Sequence, residues 1–104
     1  MSPLEAAFDE ALKKKLREAE TACGVVQKRL WADVERFGGA ACARELMRKG
    51  RQSDGFDALC AAGRLDLSLE ALVTAGKFGS LFTDEEVNAC FAALCAAGYY
   101  TLRG

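Results

Sequence analysis

The chain has 104 residues, of which 51% are hydrophobic and 28% are charged, and its formal net charge is −1. This length and hydrophobic content predict one globular domain over residues 1–104 that buries a core without cross-links. The near-zero net charge excludes a strong overall attraction to nucleic acid. No run of about 18 apolar residues could cross a membrane, and the charged N-terminal segment is not typical of a secretory signal. We therefore expect a soluble, cytoplasmic protein.

The first predicted element is a long N-terminal helix. Ser2 and Glu5 have the spacing of a capping box, and Pro3 occupies the first helical position. An apolar stripe with steps of three or four residues follows and keeps its phase through Gly24. Its members are Leu4, Phe8, Leu12, Leu16, Ala19, Cys23, Val26, Leu30, Val34 and Phe37. We predict one helix, bent or frayed at Gly24, in preference to two separate helices.

Four shorter helices are predicted after the Gly38-Gly39 pair, and a glycine closes each of them. They cover residues 40–49, 53–62, 69–75 and 84–97. The last three have capping signals, namely Ser53, then Ser68 or Asp66, then Thr83 with Glu86. Because only residues 65–69 alternate in the manner of a strand, and they have no partner, we predict an all-α fold. In it, the long N-terminal helix packs on about four shorter helices.

Two segments of the chain are nearly identical. FDALCAAG at 56–63 matches FAALCAAG at 91–98 in seven of eight positions, 35 residues apart. This spacing is in the range of helical repeats, but two copies are too few for a solenoid. The alternative is two helix ends that use the same leucine anchor and glycine stop.

The side chains that carry most enzyme chemistry are missing. The chain has no histidine, which removes the commonest general base, the Ser-His and Cys-His dyads and most zinc and haem sites. No glycine motif for binding phosphate is present either. We therefore expect no enzyme activity, no catalytic residues, no cofactor and no metal.

The cysteines fit the same interpretation. Their number is odd, none forms C-x-x-C, and all lie in helical, alanine-rich contexts. We predict reduced, mostly buried thiols that behave as small apolar residues. They are Cys23, Cys42, Cys60, Cys90 and Cys95.

Binding to another protein is the remaining class of function. Residues 1–50 carry ten basic against eight acidic side chains, whereas residues 51–104 carry four against seven. We predict an acidic partner-binding surface together with one exposed aromatic residue. The predicted contact residues are Asp54, Asp57, Asp66, Glu70, Asp84, Glu85, Glu86 and Trp31. Several of these acids also suit helix caps and helix dipoles, which is the structural alternative.

DNA binding is a further alternative. The predicted helices at 40–49 and 53–62 have the order of a helix-turn-helix. Asp54 and Asp57 would then lie at the start of the recognition helix and repel the phosphates. Direct nucleic-acid binding is therefore not expected, although a DNA-binding regulator and a host protein-interaction module remain alternatives.

About half of the chain resembles a pattern found in small bacterial and phage-related proteins of unassigned function. The pattern reads SDGF at 53–56, GRLDLSLEALV at 63–73, LFTDEE at 81–86 and GY at 98–99. In size and general character, though not through a motif, the chain also resembles anti-CRISPR inhibitors. This resemblance implies a small acidic inhibitor or regulator from a phage or mobile genetic element. It would block a host defence protein, with a Cas protein or complex as its partner, in the bacterial cytoplasm and as a monomer or weak dimer.

Overall fold

The computed structural model describes residues 2–99, which form six α-helices and two short 3-10 turns. The helices are α1 (Pro3–Cys23), α2 (Lys28–Phe37), α3 (Gly39–Arg48), α4 (Phe56–Ala61), α5 (Leu69–Thr74) and α6 (Asp84–Ala96). The 3-10 turns Leu65–Leu67 and Gly79–Leu81 precede α5 and α6. Residues 2–99 contain no strand, so the predicted all-α fold with a long N-terminal helix packed against shorter helices is confirmed. None of the helices in this range has the length and apolar character needed to cross a membrane.

The first helix ends at Gly24, so the prediction of one helix continuing through this glycine is wrong. Gly24 has a φ of +69°, in the left-handed region that glycine adopts readily. Its N–H donates to the carbonyl of Glu20 at 3.0 Å, and the N–H of Val25 donates to the carbonyl of Ala19 at 3.1 Å. These bonds satisfy the last carbonyls of α1 and stop the helix. Residues 24–27 then connect to α2 as a separate helix.

Substitution of Gly24 by alanine tests this helix end. We expect Gly24→Ala to lower the free energy of unfolding by about 1–2 kcal/mol, because a Cβ atom disfavours the left-handed conformation. A Cβ at this position meets nothing within 4 Å, so the loss would come from the backbone alone. Gly79→Ala is the matched control, since Gly79 has equally open surroundings without a positive φ. Urea denaturation followed by circular dichroism measures the free energy of unfolding of both variants. Equal losses would contradict the assignment of a left-handed helix end to Gly24.

The core consists of two clusters of buried side chains. In the first, the ring of Phe8 on α1 packs edge to face against Phe78 and Phe82, with centroid distances of 5.2 and 5.3 Å. The second cluster lies around Leu59 of α4 and Leu94 of α6, both fully buried. α1 therefore connects both halves of the core, since it contributes buried side chains to each cluster.

The two similar segments end in the same way. The N–H of Arg64 donates to the carbonyl of Leu59, and the N–H of Tyr99 donates to the carbonyl of Leu94, each at 2.9 Å. The closing glycines Gly63 and Gly98 both have positive φ angles. The two segments therefore share the geometry of their helix ends, whereas their first residues differ, since Phe56 is buried and Phe91 is 39% exposed.

Both predicted capping boxes form, at Ser2 with Glu5 and at Thr83 with Glu86, and Ser68 caps α5. The predicted Ser53 cap is wrong, because α4 begins only at Phe56 and its first turn has no side-chain cap. Ser53 makes its hydrogen bonds to Glu70 instead.

Candidate functional site

The predicted acidic contact residues have different local environments. Asp66 lies beside α1, where the guanidinium of Arg64 donates to its two carboxylate oxygens at 3.0 and 3.1 Å. This hydrogen bonding lowers the pKa of Asp66 below its ordinary value. Arg64 also reaches Glu18 of α1 at 3.3 Å, and Lys15 of α1 donates to the backbone carbonyl of Asp66 at 2.8 Å. Asp66 therefore connects its 3-10 turn to α1.

Glu70 is not available to a partner, which corrects its assignment to the binding surface. Its side chain is only 4% exposed. One carboxylate oxygen accepts from the N–H of Ser53 at 2.8 Å, and the other accepts from the Ser53 hydroxyl at 2.6 Å. The physical reason is that a buried carboxylate must have its acceptors occupied. Glu70 fastens the segment before α4 to α5.

The three acids at the start of α6 have two different environments. Glu86 completes the capping box, since one of its carboxylate oxygens accepts from the N–H of Thr83 at 2.7 Å. Asp84 and Glu85 are exposed in the first turn, where the helix dipole favours negative charge. Capping therefore explains Glu86 directly, whereas Asp84 and Glu85 keep free surface.

Asp54 and Asp57 are both exposed but lie in different settings. Asp57 is in the first turn of α4, a helix of six residues with Phe56 and Leu59 buried. Asp54 precedes that helix and lies at the edge of a groove between α2 and α3. A short acidic helix is poorly suited to the recognition role that the helix-turn-helix alternative requires.

Trp31 is partly buried rather than freely exposed. Its ring packs against the first core cluster. The guanidinium carbon of Arg17 lies 5.4 Å from the centre of the ring, a distance at which a cation interacts with an aromatic face. Both contacts occupy part of the Trp31 surface that was predicted to meet a partner.

Sequence reasoning missed a more exposed aromatic residue, Phe37. The stripe places Phe37 in the core with Leu30 and Val34, but its side chain is 59% exposed while those two are buried. Phe37 is the last residue of α2, and the chain enters α3 directly after Gly38. The guanidinium carbon of Arg36 lies 5.1 Å from the centre of the Phe37 ring, and the ring is otherwise largely open. Val26 was also placed in the apolar stripe, but it is 52% exposed. It lies in the connection between α1 and α2, where helical periodicity does not apply. The only feature of the sequence that could have indicated the exposure of Phe37 is its position at a helix end, directly before two glycines.

Phe37 borders a surface groove that encloses about 600 Å³ between α2 and α3. We call it the α2–α3 groove. Its apolar lining comprises Leu30, Phe37, Ala41, Cys42 and Leu46, and Gln52 also lines it. Its charged rim comprises Arg29, Asp33, Glu45, Lys49, Arg51 and Asp54. The groove can therefore accept apolar side chains at its floor and polar groups at its rim.

Two buried cysteines, Cys42 in the lining of the groove and Cys90 in the core, have thiols that are poor nucleophiles. Burial is the main cause that raises the pKa of Cys42 to about 11 and the pKa of Cys90 to about 12. Both thiols are therefore protonated at neutral pH, and the thiolate is the nucleophilic form. Within residues 2–99, no group of three or more cysteine, aspartate or glutamate side chains is arranged to hold a metal ion.

Comparison with known proteins identifies no relative of this chain. No family model, no curated protein and no solved structure matches the chain.

Proposed function

We propose that this protein is a non-catalytic binding module that acts as an inhibitor or regulator through the α2–α3 groove. The observation that carries the proposal is the exposure of Phe37, 59%, in the lining of a groove of about 600 Å³ that presents both apolar and charged side chains. Aromatic side chains, phenylalanine included, are enriched in protein interfaces relative to the rest of the surface. Complete burial of such a side chain is worth about 1.5–3 kcal/mol, so covering the exposed part of Phe37 would contribute substantially to binding.

The lengths of α2 and α3 are compatible with a helix as the bound element. The two walls of the groove are helices of ten residues each, which at about 1.5 Å per residue gives a length of about 15 Å. A partner helix of two to three turns fits this length. Its apolar face would present side chains three and four residues apart to the groove floor.

The proposed partner class rests on the resemblance to anti-CRISPR inhibitors in size and general character. With 104 residues, the chain has the size of such an inhibitor from a phage or mobile element, acting in the bacterial cytoplasm. Cas proteins are therefore the first partners to screen. The exposed acids Asp84 and Glu85 offer an additional contact to a basic partner surface.

Affinity capture from a lysate of CRISPR-bearing bacteria tests the proposal. The tagged wild-type chain should retain a specific protein, and Phe37→Asp should lose it because a carboxylate cannot enter an apolar interface without a large desolvation cost. Val26→Asp is the matched control, since Val26 has similar exposure but lies at the other end of α2. Retention of the same protein by Phe37→Asp, or loss of it in both variants, would overturn the groove as the binding surface.

A further inference from the structure

The rim of the α2–α3 groove carries charges that have no ion-pair partner among the described residues 2–99. Arg29, Arg51, Asp33 and Asp54 make no ion pair with any other residue of the range 2–99. Glu45 is different, because it pairs with Arg48 at 2.7 Å and with Lys49 at 3.2 Å. The uncompensated rim charges are therefore two cations and two anions, which sum to zero.

A rim with equal numbers of cations and anions can pair with a second copy of itself. In a twofold-symmetric interface the same patch of both copies is in contact, so every cation on the patch must find an anion on the same patch. A rim of one sign would repel its copy, whereas two cations and two anions allow mutual pairing. The formal net charge of −1 also leaves little long-range repulsion between two copies.

Phe37 provides the apolar part of the contact between two copies. Each copy offers one protruding aromatic ring and one apolar groove directly beside it. Two such surfaces can bury each other reciprocally, because the ring of either copy can rest on the groove floor of the other. The floor side chains Leu30 and Cys42 are already buried, so they provide a closed apolar base.

We infer that a second copy of this chain occupies the α2–α3 groove. In this dimer α2 and α3 of the two copies face each other about a twofold axis. This inference rests on the proposed function, because it uses the same groove to bind protein. A second copy binds in the groove when no other protein competes for it.

Sedimentation equilibrium of the full chain provides the first test. The wild-type protein should dimerise reversibly between about 1 µM and 1 mM, the range of weak to moderate affinities. Phe37→Asp should raise the dimer dissociation constant at least about 30-fold, the effect of losing an interface hot spot. Val26→Asp should leave it unchanged. A wild-type chain that stays monomeric over this range, or a dimer that is insensitive to Phe37→Asp, would overturn the inference.

Charge variants test self-complementarity without assuming which residues meet. The acidic variant combines Arg29→Glu with Arg51→Glu, and the basic variant combines Asp33→Lys with Asp54→Lys. Each variant alone should be monomeric, because its uncompensated rim charges then have one sign. An equimolar mixture should form a heterodimer that native mass spectrometry identifies by its mass. Dimerisation of either variant alone, or failure of the mixture to associate, would contradict the inference, and circular dichroism confirms that each variant is folded.

The two proposals fail in different ways. A monomeric wild-type chain whose captured partner is lost with Phe37→Asp overturns the second copy but leaves the binding module intact. A monomeric chain that retains no protein through Phe37 overturns both.

Discussion

Phe8→Ala is expected to destabilise the fold by about 3–5 kcal/mol, the range measured for buried phenylalanine truncations. Phe8 is completely buried, and its ring contacts Phe78 and Phe82 in edge-to-face geometry. The substitution removes both aromatic contacts and leaves a cavity between α1 and the segment before α6. Since small domains are stable by only about 5–15 kcal/mol, much of the total free energy of unfolding would be lost. Urea denaturation followed by circular dichroism measures the loss.

The matched control for Phe8→Ala is the same chemical change at Phe37. Its side chain is largely exposed, so Phe37→Ala should change the free energy of unfolding by less than about 1 kcal/mol. Both variants should be compared at low protein concentration, because association through the groove would add stability to the wild-type chain. Comparable losses for the two variants would contradict the assignment of Phe8 to the core and of Phe37 to the surface.

Glu70→Ala is expected to destabilise the fold by about 2–3 kcal/mol, because it leaves buried donors without an acceptor. The donors are the N–H and the hydroxyl of Ser53, at 2.8 and 2.6 Å from the carboxylate oxygens. Glu70→Gln should cost less than about 1 kcal/mol. The amide oxygen can still accept from the N–H, and the amide nitrogen can donate to the Ser53 oxygen.

A double-mutant cycle with Ser53→Ala separates this contact from general packing. If the contact is as described, the losses from Glu70→Ala and Ser53→Ala should be less than additive by about 1 kcal/mol, because both variants remove the hydroxyl bond. Additive losses, or equal losses for Glu70→Ala and Glu70→Gln, would show that the hydrogen bonds to Ser53 contribute little.

Helix existence and most helix ends could be predicted because their signals are local. Ser2 with Glu5, Thr83 with Glu86, and Ser68 each satisfy backbone N–H groups within three residues along the chain. Glycine stops are local as well, since the left-handed conformation depends on a single residue. The apolar stripe correctly identified Phe8 and Leu12 as core because helical periodicity determines which side chains share a face.

Predictions from the sequence were wrong where the local structure or the exposure of a residue depends on distant parts of the chain. A stripe in phase across Gly24 does not distinguish one helix from two, because two helices packed on the same core also keep their apolar faces inward. Ser53 resembles a cap, yet Glu70, 17 residues later, binds it. The exposure of Phe37 depends on the absence of a covering element, which periodicity along one helix does not report.

Which of the predicted acidic contact residues remain exposed could not be predicted for the same reason. Proximity in sequence suggested one cluster, but Asp66 pairs with Arg64 and Glu70 is buried. The α2–α3 groove is formed by three separate segments, and only their packing places Phe37 beside Leu46 and Arg51.

Site-specific photocrosslinking at position 37 in bacterial cells tests the central claim most directly. A photoreactive phenylalanine analogue at this position should form a crosslink to protein, and mass spectrometry would identify either a second copy or another partner. The same analogue at position 26, equally exposed but outside the groove, should form little of that product. Crosslinks confined to position 37 are the result we predict. No protein crosslink at position 37, or the same products from both positions, would contradict the α2–α3 groove as the binding surface.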